Sequence, residues 1–307
     1  MKGLALVLAA AACAHSTPTN QPKPGPVDDI ALLPADSEIV IGVHFGQLKS
    51  SAAWQTYVAP RLANADLPGL REVTALCGFN PLDRVESITL AFKGIAGQPS
   101  GAAVVHGLDR ASSTSCFDAD LGGIDKAGVK VQMAGDVALL SKGDVSAGFT
   151  FVDDSTLFYV VSPEATTADA VKAMAHAGTS LRTSQAFVEM YDKIDHNASV
   201  WMLANGGGSA MRKLGLPFKL RAAFGSVNVT DGIAFDLHLR ATSPDEATQA
   251  LGLIKQAENY MRQATDTLTL ASEGADVKLA GTMGRQKLQQ VVAMITNNGG
   301  GGAPDGD

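Results

Sequence analysis

Runs in which apolar and polar residues alternate make up much of this chain, and segments with apolar residues three and four positions apart separate them. Alternation predicts half-buried strands, and the three-to-four spacing predicts amphipathic helices. The clearest predicted strands are 38–44, 85–92, 101–107, 199–204, 220–229, 232–240, 268–272 and 275–282, and the clearest predicted helices are 109–121, 164–177, 245–264 and 285–295. Because several neighbouring strands are predicted to pair as hairpins and helices follow them, the pattern indicates an α+β fold with mostly antiparallel strands.

The same order of elements occurs twice along the chain. In both places a predicted hairpin leads into Ser-Pro and an acidic residue, at Ser162-Pro163 and at Ser243-Pro244. A serine there can cap the first helical N–H groups, and a proline fits the first helical position. We therefore expect two similar halves, 30–178 and 179–296, each a mostly antiparallel sheet with helices packed on one face. The pattern leaves open whether the two sheets join.

The predicted helices carry apolar stripes that indicate a core role. In the long helix Ala247, Ala250, Leu251 and Ile254 share one side, as the spacing of an amphipathic helix requires. A stripe this rich in alanine lets a helix lie close to a sheet. These positions therefore predict core packing and not a ligand site.

The first residues have the pattern of a targeting segment. One lysine precedes a run of about 10 apolar residues, whereas a membrane span needs roughly 20. Residues 1–12 are therefore predicted to be a signal peptide of an exported protein. Residues 13–29, with four prolines, are predicted to be an extended linker, and the Gly-rich residues 297–307 a disordered tail.

Cys13 follows Ala11 and Ala12 directly, and this arrangement resembles the lipobox of bacterial lipoproteins. It departs from that motif at Ala10, where a larger apolar residue is usual. The resemblance implies that Cys13 is acylated and becomes the mature N-terminus, so the membrane is a partner. Ala14, in place of the aspartate that retains such proteins in the inner membrane, implies the outer membrane. The alternative is an ordinary signal peptide cut near Ala12.

The start of the predicted folded part also resembles known proteins. Residues 31–48, ALLPADSEIVIGVHFGQL, follow the lipobox-like cysteine and the Pro-rich linker, and duplicated hairpin-plus-helix units come after them. This layout is similar to uncharacterised bacterial exported lipoproteins with a duplicated α+β domain. The resemblance implies a location in the periplasm or at the cell surface. These proteins have no agreed catalytic residues, so it assigns none here.

The two remaining cysteines, Cys77 and Cys116, are predicted to form a disulfide. The compartment beyond the inner membrane is oxidising, and an even pair in an exported protein is typical of a disulfide. The bridge would close a loop of about 40 residues. The alternative is two free buried thiols.

Composition and charge exclude one class of partner. The chain has 307 residues, 46% of them hydrophobic, and a formal charge of −7. A protein that binds nucleic acid without sequence preference needs clustered Lys and Arg to neutralise phosphates. The sequence shows no such cluster, and we expect no nucleic-acid partner.

Candidate chemistry is sparse in this sequence. His44, His106 and His238 lie at or near predicted strand ends among apolar residues, where a structural histidine is expected. The alternative is that the three converge on a metal. No zinc-protease, nucleophile-elbow or phosphate-loop motif is present. We therefore predict no catalytic residue, cofactor or metal.

One loop could bind an anion. Gly206, Gly207, Gly208 and Ser209 lie between a predicted strand and a predicted helix start, where backbone N–H groups can be exposed. The alternative is a flexible connection, because no Lys-Ser/Thr pair follows the glycines.

Two functions remain. The first is a non-enzymatic, membrane-anchored binding or structural module of the cell envelope, with an envelope protein as a possible partner. The second is an exported hydrolase whose site combines scattered residues, for example Ser209 with His196 or His238 and an aspartate. Such a triad is recognised by geometry and not by sequence order.

Overall fold

The structure, a computed structural model, describes residues 27–64, 74, 78–94, 97–119, 130–175, 180–208, 211 and 218–298. The strands are β1 Ile39–His44, β2 Ser87–Lys93, β3 Ser100–His106, β4 Lys130–Ala134, β5 Val137–Lys142, β6 Val145–Phe151, β7 Thr156–Ser162, β8 Val200–Asn205, β9 Leu220–Val229, β10 Ile233–Ala241, β11 Thr267–Glu273 and β12 Asp276–Met283. The α-helices are α1 Asp29–Leu32, α2 Phe45–Ser50, α3 Ala59–Asn64, α4 Pro81–Arg84, α5 Arg110–Ala119, α6 Ala168–Ala175, α7 Gln185–Tyr191, α8 Pro244–Lys255, α9 Glu258–Ala264 and α10 Arg285–Asn298. A π-helical turn, Trp54–Val58, and a 3₁₀ turn, Leu181–Thr183, complete the described elements.

All of these strands belong to one sheet. Its order is β11-β12-β10-β9-β8-β1-β2-β3-β7-β6-β5-β4, and every neighbouring pair is antiparallel. At its middle, β1 pairs with β8, with Ile39 opposite Ala204 and Val43 opposite Val200. The predicted α+β class is confirmed, and the two predicted sheets, whose joining the sequence left open, form a single continuous sheet in the described residues.

Side chains alternate between the two faces of this sheet, as in any strand. We call face 1 the face that carries Val40, Phe158 and Phe224, and face 2 the face that carries Leu239 and Val277. Helices α1, α6 and α7 bury their apolar residues on face 1, whereas α8 packs on face 2. The helices therefore lie on both faces of the sheet, and the expected placement on one face does not describe the whole molecule.

The main core lies on face 1 and is continuous across the middle of the sheet. Ile30, Leu33, Val40, Val104, Phe158, Val171, Leu181, Leu203 and Phe224 are at most 1% exposed there. A smaller cluster on face 2 contains Ala241 and Val277 beneath Ala247 and Ala250 of α8. The alanine stripe of the sequence thus packs as predicted, because a small side chain lets the helix approach the strands.

One close approach occurs where β1 and β8 pair. Gly42 lies opposite Trp201, whose indole is 3% exposed and covers the glycine on face 1. A Cβ at Gly42 would overlap the indole ring of Trp201. The ring also meets Tyr191 of α7 edge-on, with centroids 5.4 Å apart. The indole therefore joins the two central strands and the helix above them.

Two predicted helices differ from the structure. The segment 245–264 is two helices, because α8 ends at Lys255 and α9 begins at Glu258. The segment 164–177 becomes helical only at Ala168, where Thr167 Oγ1 accepts a hydrogen bond from the N–H of Ala170. At Ser243-Pro244 the expectation holds: the Ser243 hydroxyl accepts from the N–H of Glu246, and α8 starts at Pro244.

None of the described helices is long and apolar enough to cross a membrane. The predicted signal peptide and almost all of the predicted linker lie outside the described residues, as does the tail beyond residue 298.

Candidate functional site

The first described residues are locked to the sheet. Helix α1 places Ile30 in the core, and Leu33 directly after it is fully buried. In front of the helix, the carboxylate of Asp28 accepts two hydrogen bonds from the guanidinium of Arg182, each 2.7 Å long. Such paired bonds fix position as well as charge. We call the contacts of Asp28 and Asp29 the N-terminal clasp.

Asp29 provides the second part of this clasp. One carboxylate oxygen lies 2.7 Å from Nε2 of His106, and the other accepts a hydrogen bond from the hydroxyl of Thr89. On the other side of the ring, Nδ1 of His106 lies 3.1 Å from Oγ1 of Thr156, which donates to Asp153. The hydrogen bond to Asp29 raises the pKa of His106, although burial works in the opposite direction. The imidazolium form therefore suits this network.

The clasp predicts a pH dependence of stability. Because the pKa of His106 is higher in the folded than in the unfolded chain, its contribution is complete below 6.5, the ordinary pKa. It is lost as the pH rises through the folded-state pKa. The variant His106→Gln should therefore cost more thermal stability at acidic than at alkaline pH, measured as the difference in Tm from the native chain. A difference in Tm that stays constant across this range would contradict the charged clasp.

A second cluster of charges lies on face 1 at the other end of the core. Asp276 of β12, 4% exposed, accepts hydrogen bonds from Nε of Arg240 at 2.7 Å and from Nζ of Lys193 at 2.8 Å. Glu189 of α7 lies 3.7 Å from the same guanidinium. Burial alone would raise the pKa of Asp276, but the bonds to Arg240 and Lys193 hold it below its ordinary value. The cluster ties α7 and the following turn to β10 and β12.

The three strand-end histidines have separate surroundings. His44 Nε2 lies 3.0 Å from the backbone oxygen of His196, and His106 belongs to the clasp. His238 stacks on Phe224 with its ring parallel and 4.9 Å away, and burial lowers its pKa. Among the described residues, no three His, Cys, Asp or Glu side chains are grouped to hold a metal. The three histidines therefore do not share one site.

The glycine loop after β8 uses its amides internally. The N–H of Gly206 donates to Arg221 O at 2.9 Å, that of Gly207 to the Asn205 side chain at 3.0 Å, and that of Gly208 to Asn205 O at 2.9 Å. These bonds disfavour an anion at the three amides. Ser209 lies outside the described residues, so anion binding by the complete loop stays a prediction.

Other predicted residues are placed only in part. Cys13 and Cys77 lie outside the described residues, and Cys116 is described only as a backbone position of α5. The lipid anchor and the disulfide therefore stay predictions.

The residues proposed for a hydrolase gain no support from the described geometry. Ser209 lies outside the described residues, and the His196 ring stacks on Tyr191, with centroids 4.6 Å apart. His238 is stacked on Phe224, as noted above. In the part of the chain that the structure describes, no hydrogen bond joins either ring to a serine hydroxyl.

A cleft of 490 Å³ opens where β8 begins and β9 ends, and we call it the polar cleft. One wall is α2 with the turn after it, and the other is the hairpin turn between β9 and β10. The backbone joins these walls, because Ala53 N–H donates to Thr230 O and His44 N–H donates to Ser199 O. Hydroxyl, amide and carboxylate side chains line most of it: Gln47, Ser50, Ser51, Ser199, Asn228, Thr230 and Asp231.

The sequence did not predict the polar cleft, because its walls are about 180 residues apart along the chain. Gln47 Nε2 donates to Asn197 O at 2.7 Å, and the Ser199 hydroxyl lies 3.3 Å from Gln47 Oε1. The one sequence signal near the cleft was a pair of Asn-x-Ser/Thr triplets. Residues 197–199 lie just before β8, and residues 228–230 lie at the end of β9. Their pairing across the cleft depends on the strand order, which is not visible locally.

Comparison with solved structures shows a likeness in fold. Crystal form I of TP0453, from Treponema, superposes with a TM-score of 0.54 at 11% identity, covering 88% of this chain and 98% of that one. Crystal forms III and IV of TP0453 give TM-scores of 0.53 and 0.52, also at 11% identity, over 87% of this chain and 98% and 97% of theirs. No family model and no curated protein matches the sequence. At this identity, the likeness describes the fold alone.

Proposed function

We propose that this protein is an exported lipoprotein that is anchored to the outer membrane through Cys13 and acts as a non-enzymatic binding or structural module of the cell envelope. The lipobox-like segment and the Pro-rich linker support the anchor. The observation that carries the proposal is the N-terminal clasp. The last two residues of the predicted linker are held by Asp28–Arg182 and Asp29–His106, and the buried Ile30 follows them.

This arrangement suits a protein that is held by its N-terminus. A pulling force on residue 27 would act first on the clasp and then on the core of face 1. If extended, residues 13–27, which precede the clasp, span roughly 45 Å, at about 3.1 Å per residue for a Pro-rich linker. A linker of this length would let the polar cleft bind a ligand or a protein partner at a distance from the membrane surface.

We also infer that the sheet consists of two related halves, 30–178 and 179–296, as in the exported lipoproteins that the sequence resembles. Moving outward from the β1–β8 pair, β1-β2-β3-β7-β6 on one side corresponds to β8-β9-β10-β12-β11 on the other. In each set a helix follows the third strand. The final hairpin of the set then pairs with that third strand, through β7 beside β3 and β12 beside β10. The β4–β5 hairpin is an addition to the first half. An experimental structure in which these strand sets do not superpose would refute the relationship.

The anchor predicts a clear result for the variant Cys13→Ala. Mass spectrometry of the native mature chain should find acylated Cys13 at its N-terminus, and the protein should sediment with the outer membrane. Cys13→Ala should carry no lipid and leave the membrane fraction, because one or more acyl chains supply the attachment. Ser16→Ala, in the same linker, is the matched control and should remain attached. An unacylated native chain that is cut near Ala12 would refute the anchor.

A further inference from the structure

The polar cleft has the volume of a small-molecule site and is open to solvent. Its 490 Å³ falls within the range of roughly 300–1,000 Å³ that such sites occupy. Its floor is Ser199, 1% exposed, whose hydroxyl accepts a hydrogen bond from the N–H of Val229 at 3.0 Å. Its walls are held by backbone bonds between α2, the turn after it and the β9–β10 hairpin. The cleft is therefore built into the fold before a ligand arrives.

The lining determines which ligands fit. The Asn228 amide is held by Ser199 N–H and by Asp195, and the Ser50 hydroxyl donates to Gln47 O. A hydroxyl both donates and accepts hydrogen bonds, so Thr230 can do either toward a ligand, and Ser50 can still accept. The cleft contains no Lys or Arg, and its one charged lining residue is Asp231, which pairs with Arg285 at 2.9 Å. A phosphate or carboxylate would meet no lining Lys or Arg, and the nearby Arg285 is already paired with the Asp231 carboxylate. The lining therefore selects a neutral ligand.

We infer that the polar cleft binds a neutral sugar unit of an envelope glycan. A sugar presents hydroxyl groups at its edge and C–H groups on its faces. The cleft offers both, because polar side chains lie beside the apolar groups of Ala52 and Val229, and more of its exposed lining is apolar than polar. The Asp231 carboxylate can accept charge-assisted hydrogen bonds from two neighbouring hydroxyls, which are stronger than neutral ones. The inference rests on the proposed function, because an exported binding module is the one that meets such a glycan.

Titration of the complete mature chain in detergent with chitotriose, followed by calorimetry, tests this inference. We expect saturable binding by the native chain. Asp231→Asn removes the charged acceptor and should weaken binding roughly tenfold. Ser50→Leu narrows the cleft and replaces a hydroxyl with an apolar group, so it should weaken binding by a similar factor. Asp154→Asn, in the exposed β6–β7 turn, is the matched control and should bind like the native chain.

Three results would overturn the sugar site. They are no saturable binding by the native chain, equal binding by the cleft variants and the control, or saturable binding of a neutral tripeptide in place of chitotriose. Acylation of Cys13 and sedimentation with the outer membrane test the proposed function separately. A membrane-anchored chain that does not bind chitotriose would refute the sugar site but not the proposed envelope module. A chain that lacks the anchor would refute the module, whatever its affinity for sugar.

Discussion

Replacing Gly42 with alanine should lower the free energy of unfolding by about 3 kcal/mol, in the range of severe core overpacking. A methyl group in a strand normally favours folding relative to glycine, by roughly 0.5–1 kcal/mol. Here the added Cβ would overlap the indole of Trp201. The ring is 3% exposed and packs edge-on against Tyr191, so it has little room to retreat. The steric cost therefore exceeds the gain in backbone entropy.

Gly46→Ala is the matched control for this prediction. Gly46 lies four residues further along in α2, and a Cβ there would meet nothing within 4 Å. Alanine in a helix is favoured over glycine by up to about 1 kcal/mol, so Gly46→Ala should leave stability unchanged or raise it. Urea unfolding followed by circular dichroism measures both variants. Equal stabilities for Gly42→Ala and Gly46→Ala would refute the close approach of Trp201.

A double variant identifies the clash directly. In the Trp201→Leu background the smaller side chain leaves room for a methyl group at position 42. Gly42→Ala should then cost much less than it does in the native chain, because contacting residues are not additive. If Gly42→Ala destabilised the Trp201→Leu background as much as the native chain, a clash with Trp201 would not be the cause of the lost stability.

The strands near the C-terminus were predictable because the information that specifies them is local. The hairpin at 220–240 has two strand-like runs joined by a turn at Thr230-Asp231, and the structure forms it as β9 and β10. The order of strands is not local. Ile39 pairs with Ala204, and no pattern in either strand identifies its partner. The sequence alone therefore could not show that the strands form a single sheet.

The errors in the helices have a physical origin as well. Ser162-Pro163 and Ser243-Pro244 look alike, but only Ser243 caps a helix. The Ser162 hydroxyl accepts from the N–H of Glu164, two residues on, which is a turn and not a cap. A serine offers the backbone either arrangement, and tertiary packing decides between them. The clasp was equally hidden, because Asp29 and His106 are far apart along the chain and lie in no motif.

Removing the carboxylate of Asp276 should also destabilise the fold strongly. Asp276→Ala would leave the guanidinium of Arg240, whose side chain is 16% exposed, without its main partner. Breaking a buried ion pair on one side costs about 3–5 kcal/mol. We expect about 3 kcal/mol, because Lys193 is half exposed and can turn to water, and Glu189 remains near Arg240. Urea unfolding at neutral pH measures the loss.

The matched control is Asp36→Ala, which breaks another aspartate–lysine pair. Asp36 and Lys93 are both largely exposed, so their pair is worth at most about 1 kcal/mol. Similar losses for Asp276→Ala and Asp36→Ala would mean that the Asp276 cluster behaves as a surface pair, contrary to its 4% exposure.

The pH dependence of the Asp276 cluster runs opposite to that of the clasp. Its folded-state pKa is lowered because the bonds to Arg240 and Lys193 outweigh burial, so its stabilisation is present above 3.8, the ordinary pKa. It is lost as the pH falls through the lower folded-state value. The loss of stability in Asp276→Asn should therefore shrink on acidification below 3.8, whereas that in His106→Gln should shrink as the pH rises above 6.5. Because the two groups lie at opposite ends of the face 1 core, their contributions should add in the double variant. Strong coupling between them would instead show that the core transmits strain from one end to the other.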